Sequence, residues 1–141
     1  GIATAVKSIN PRIKIIGIEP AAAPGAYLSF RDGHCHEWIE LRPSIADGLV
    51  GTLTPLTWEI SHNLVDEIVL VEEEEIVKAM VIFQQDEQLI VEGAAAVGLA
   101  AILSGKINVE GKKAVLVLTG RNIDAKRFNG LVCKRYGEGG Q

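Results

Sequence analysis

Hydrophobic and polar positions along the chain alternate between two periods. Ile2, Ala5, Val6 and Ile9 fall on one helical face with Lys7 and Ser8 off it, which predicts a helix over 2–9 that Asn10-Pro11 stops. Arg12–Glu19 carries Ile13, Ile15, Ile16 and Ile18 and predicts a buried strand ending at Glu19-Pro20. A short helix over Ala21–Phe30 follows, with its start blurred by Pro24-Gly25. Asp32-Gly33 then makes a turn, and His34–Leu41 reads either as a short strand or as an irregular extension. Ser44–Gly48 reads as a loop. Thr54-Pro55 opens a helix to about Leu64, with Thr54 as its cap and proline at its first position. Glu67–Val71 is a strand, and Glu72–Glu75 leads into a helix to about Gln85 whose apolar face runs through Ile76, Val77, Met80, Val81 and Gln84.

Leu89–Leu103 is dense in alanine and glycine, the pattern of a helix packed closely on its surroundings, and Ser104-Gly105 ends it. Ala114–Leu118 is an unbroken apolar run closed by Thr119, Gly120, Arg121 and Asn122, which predicts a third, fully buried strand. A last helix is expected from Asp124 onward and a frayed tail over Gly137–Gln141. Strands separated by helical segments imply an α/β fold, a three-layer arrangement with a mostly parallel sheet in a single domain spanning residues 1–141. Ligands of such sheets bind at the carboxyl ends of the strands. Thr119 lies at one such end, although on this stretch alone a strand that simply stops at a polar turn is the better reading.

Composition narrows the function classes. The 141 residues are 48% apolar, enough for a packed core. A net charge of −4 and scattered basic residues argue against a nucleic-acid surface, and no apolar run is long enough to cross a bilayer. Two distant cysteines, Cys35 and Cys133, fit a reduced, cytoplasmic setting. The chain opens on Gly1 directly in a helix, as a piece of a longer protein would. His34-Cys35-His36 is a metal-like cluster without a third ligand at useful spacing and reads as surface. The four glutamates Glu72–Glu75 read as a favourable charge at a helix N-terminus, worth about 0.3–1 kcal/mol each. Glu92 is the single charge between Leu89 and Ile102, either a helix cap or a working carboxylate tuned by burial. Walker and Gly-x-Gly-x-x-Gly signatures are absent.

Six segments in succession carry a resemblance: Gly1-Ile-Ala-Thr-Ala-Val-Lys7, Ile16-Gly-Ile-Glu-Pro20, Ile45-Ala-Asp-Gly48, Leu64-Val-Asp-Glu-Ile-Val-Leu-Val71, Val91-Glu-Gly-Ala94 and Leu118-Thr-Gly-Arg-Asn-Ile-Asp124. Over residues 1–124 the chain resembles the threonine dehydratase and serine racemase branch of fold-type-II pyridoxal-phosphate enzymes, as the C-terminal part of their large domain; residues 125–141 match poorly. The resemblance implies pyridoxal phosphate as cofactor, with the Thr119 hydroxyl and adjacent Gly120 at the pyridine nitrogen. It places Glu92 near the ring and Gly48 on a loop that approaches it. It also implies Glu19 and the Ala23 carbonyl as ligands of a divalent cation, a role weakened by Gly25 standing where an acidic third ligand is usual. Arg121 replaces a glycine of the family's turn, where it would strain the backbone, crowd the ring or point outward.

The implied reaction is loss of the β-hydroxyl from a hydroxy amino acid, giving a 2-oxo acid and ammonia. The family's Schiff-base lysine, substrate loop and phosphate loop match nothing here, so activity by this chain alone is not expected. The implied partner is either a second copy of the chain or a missing N-terminal segment. The alternative is a non-catalytic remnant domain that binds a small ligand or drives oligomerisation.

Overall fold

The computed structural model describes residues 1–136. Six α-helices and two β-strands are ordered α1 (Ile2–Ile9), β1 (Ile16–Pro20), α2 (Gly25–Asp32), α3 (Pro55–Ser61), β2 (Glu67–Val71), α4 (Glu73–Asp86), α5 (Gly93–Leu103) and α6 (Ala125–Tyr136), with a short 3-10 turn at Asp47–Leu49. The fold is α/β, as the alternating pattern predicts. The two strands pair in parallel, in a register running from Ile16 opposite Glu67 to Pro20 opposite Val71. Both therefore end on the same side, where α2 and α4 begin.

Local chemistry sets these boundaries. The Thr54 hydroxyl accepts the Thr57 N–H with Pro55 at the first helical position of α3, as expected. At the start of α4, Glu72 and Glu75 form a reciprocal capping box. Gly33 closes α2 in the left-handed region at φ 72°. Asp66 joins the two strand starts: Oδ2 accepts the Ile15 N–H at 2.7 Å and the Lys7 ammonium at 2.7 Å, while its own N–H donates to the Ile15 carbonyl.

The core lies between α4, α5 and the sheet. Val71, Ile76, Ala79, Met80, Val91, Ala96, Ala100 and Ala101 are buried. α6 adds Phe128 and Val132. α5 is apolar nearly all round because it meets α4 on one side and both strands on another, and its small side chains let these elements approach. Burying Ile76 or Met80 contributes about 1.5–3 kcal/mol each.

Ala114–Leu118 is not a third strand: the run is irregular, has no ladder partner among the described residues, and Val115 is 87% exposed. Leu116 does meet α5, since a Cβ added to Gly98 would lie 3.0 Å from its Cδ2. The run is thus covered on one side only. The apolar face of α1 is likewise open, with Ile2 and Ile9 exposed. Between α2 and α3, residues 34–41 are irregular. The tail expected over 137–141 lies outside the described residues.

Among the described residues no helix is long and apolar enough to cross a membrane, and both cysteines are free thiols.

Candidate functional site

Three segments from distant parts of the sequence converge at the N-terminus of α5. The first is the turn after the apolar run. The Glu92 carboxylate accepts the Asn122 N–H at 2.9 Å, and the Glu92 N–H donates to the Gly120 carbonyl at 3.3 Å. A Cβ on Gly120 would collide with the Glu92 carboxylate, so a side chain here would push Glu92 off its bond to the turn. Gln88 is the non-glycine residue of positive φ among those described, and Arg121 is exposed in ordinary backbone, so the arginine points to solvent without straining the turn. Glu92 is therefore neither a side-chain cap of α5 nor a free carboxylate; it fixes the turn that carries Thr119. Thr119 is exposed, and its hydroxyl has no hydrogen-bond partner among the described residues.

The second segment is the Ser44–Gly48 loop. A Cβ on Gly93 would stand 2.5 Å from the Ile45 carbonyl oxygen and 2.9 Å from the Ala46 nitrogen, so the loop lies directly on the first turn of α5. Gly48 faces Ala94, whose Cβ is 3.4 Å from the position a Gly48 Cβ would take. The third segment is α6. Arg127 donates to Asp47 at 2.7 Å, and this bond holds the Asp47 carboxyl below the usual carboxylate range. Glu92, Gly120 and Gly48 are thus brought together around one helix start, with Thr119 beside Gly120.

Glu19 and Ala23 stand apart, at the carboxyl end of β1. The two Glu19 oxygens accept the Ala26 and Tyr27 N–H groups at 2.9 and 2.8 Å, so the carboxylate sits at the start of α2. Burial pushes its pKa up, against the lowering effect of these two bonds. Ala23 is buried and, like Gly25, has no side-chain oxygen to add. Near the end of α2, His36 meets Asp32 at 2.8 Å, its ring 4.3 Å from that of His34, while the Cys35 thiol donates to the Leu53 carbonyl. Among the described residues no group of three such side chains is arranged to hold a metal ion.

Comparison with known proteins decides the family. Residues 1–120 match the family model of pyridoxal-phosphate dependent enzymes. The chain belongs to that family, whose cofactor is pyridoxal phosphate. It is 39% identical over 135 residues to an L-threonine ammonia-lyase of Thermotoga maritima, covering 95% of this chain and 33% of that protein. An L-threonine ammonia-lyase of Geobacter sulfurreducens is 43% identical over 133 residues, covering 94% of this chain and again 33% of the relative. The maize serine racemase structure superposes with a TM-score of 0.82 at 32% identity, over 97% of this chain and 43% of that one. The chain thus spans about a third of the length of the curated relatives it matches.

Sequence reasoning missed one participant. Glu73, read as one of four helix-dipole glutamates, reaches 28 and 29 residues back to bond Ile45 and Ser44. The signal was long-range, and no local pattern carries it.

Proposed function

We propose that this chain supplies the pyridine-side half of the cofactor site of a threonine ammonia-lyase-like enzyme. Its relatives are named L-threonine ammonia-lyases, which supports a hydroxy amino acid as substrate. Bound pyridoxal phosphate supplies the electron sink for charge left at the substrate α-carbon. The chain's own residues hold and orient. Thr119 offers a neutral hydroxyl that bonds a pyridine nitrogen without the charge that a carboxylate would place there. Glu92, bound to the Asn122 amide, keeps the turn in place, and Gly48 brings its loop against Ala94 in the first turn of α5. The unpartnered, exposed Thr119 hydroxyl beside this glycine-lined turn is the observation that carries the reading.

The imine-forming lysine and the phosphate contacts come from a segment matching the part of the relatives that this chain does not span. Lys7, Lys14 and Lys106 are each engaged with a carboxylate, on Asp66, Glu67 and Glu75 respectively. Exposed Val115 and Val117 give such a segment an apolar run to cover.

The test is conversion of L-threonine to 2-oxobutanoate by the polypeptide as its gene encodes it. Thr119→Ala is expected to weaken cofactor affinity about 3–10-fold, the worth of one hydrogen bond, and to lower kcat. Turnover and affinity unchanged in Thr119→Ala would overturn the assignment.

A further inference from the structure

The acidic start of α4 does more than cap a helix. Glu73 Oε1 accepts the Ser44 hydroxyl at 2.5 Å and Oε2 accepts the Ile45 N–H at 2.7 Å. Ser44 Oγ in turn accepts the Ala46 N–H at 3.0 Å. Ser44 and Ala46 are buried, the two Glu73 bonds are half-buried, and a carboxylate acceptor makes those two charge-assisted. Glu72 and Glu75 are engaged elsewhere: they bond each other across the helix start, and Glu75 also pairs with Lys106.

On its other faces the same loop is wedged against Gly93 of α5 and tied through Asp47 to Arg127 of α6. Gly48 follows directly and lies over Ala94. Its place beside the α5 N-terminus therefore follows from how firmly residues 44–47 are held.

We infer that Glu73 is a positioning residue: by clamping Ser44 and Ile45 it sets where Gly48 stands beside the cofactor face. This rests on the reading of that face as a pyridoxal-phosphate site. Glu73 touches neither cofactor nor substrate and acts through the loop.

The experiment compares Glu73→Ala and Glu73→Gln with Glu72→Gln, which weakens the same helix start without touching the loop. Amide hydrogen exchange is read at Ile45, Ala46 and Gly48 and, as a folding control, at Met80 and Phe83 inside α4. Pyridoxal phosphate affinity is measured on the same proteins. Glu73→Ala is expected to speed exchange at Ile45 and Ala46 about tenfold or more with the α4 interior unchanged. Its dissociation constant for pyridoxal phosphate is expected to rise about fivefold, with Glu73→Gln intermediate because one acceptor oxygen remains. Glu72→Gln is expected to change neither loop exchange nor affinity.

Unchanged loop exchange in Glu73→Ala would overturn the clamp. Equal loosening by Glu72→Gln would reduce Glu73 to a helix cap. A loosened loop with unchanged affinity would overturn its role in positioning. No binding by the unsubstituted chain would instead count against the cofactor-site reading, while the exchange data would still decide whether Glu73 holds the loop.

Discussion

Gly93→Ala poses a direct contest between helix propensity and close packing. Alanine in place of glycine favours a helix by about 1 kcal/mol in an interior, and by less at the first position that Gly93 occupies. Against this, the new Cβ would stand 2.5 Å from the Ile45 oxygen, 2.7 Å from its carbonyl carbon and 2.9 Å from the Ala46 nitrogen. All three are backbone atoms, so relief requires the loop or the helix to move, and such overpacking costs about 1–3 kcal/mol. The net expectation is a loss of about 0.5–2 kcal/mol. With an unfolding entropy of about 2.1 cal/mol/K per residue, that lowers Tm by roughly 2–7 °C. Gly98→Ala is the matched control on the same helix. Its Cβ meets the end of a movable side chain, Leu116 Cδ2, at 3.0 Å, and the substitution is expected to be neutral or stabilising by up to about 1 kcal/mol. Urea and thermal unfolding followed by circular dichroism measure both. A Gly93→Ala chain as stable as the unsubstituted one, or two variants that shift alike, would refute the close approach of the loop to α5.

Other substitutions probe separate parts of the account. Phe128→Ala should cost about 3–5 kcal/mol in urea unfolding, because this buried ring docks α6 on the core; a loss under 1 kcal/mol would mean that α6 is not docked. Asp66 should contribute to acid sensitivity. The Ile15 amide, then Lys7, hold its carboxyl below the ordinary 3.8, so its stabilisation is complete above that value and is lost as pH falls through the lower folded pKa. Asp66→Asn should flatten this part of the stability–pH curve, and an unaltered curve would contradict the contact. Val115→Lys should leave the stability of this chain within about 0.5 kcal/mol, since Val115 is 87% exposed; a larger loss in urea unfolding would mean that the side chain is packed.

The parts of the fold governed by neighbours in sequence were legible in it. β2 occupies Glu67–Val71 as its apolar run predicts, α3 begins at the Thr54-Pro55 cap, and α4 opens at its capping glutamates. Ala114–Leu118 has the composition of a central strand, but composition reports a preference for burial, and burial needs neighbours on both faces. The described residues provide α5 on one side only. The same reason leaves Ile2 and Ile9 exposed on α1.

The candidate site divides in the same way. Glu92, Gly120 and Gly48 are marked by residue type in recognisable segments, and the structure gathers them at α5. What the sequence hid is which glycine meets Glu92 and which glutamate reaches the loop. Both depend on contacts across about 30 residues: Gly120 with Glu92, and Glu73 with Ser44 and Ile45.

The most direct test of the central claim is a spectroscopic titration of this chain with pyridoxal phosphate, followed by borohydride reduction and intact-mass analysis. The account predicts saturable binding that weakens in Thr119→Ala, with no specific reduced adduct on any of the chain's own lysines. Absence of saturable binding, binding indifferent to Thr119, or a stoichiometric adduct on a single lysine would contradict it.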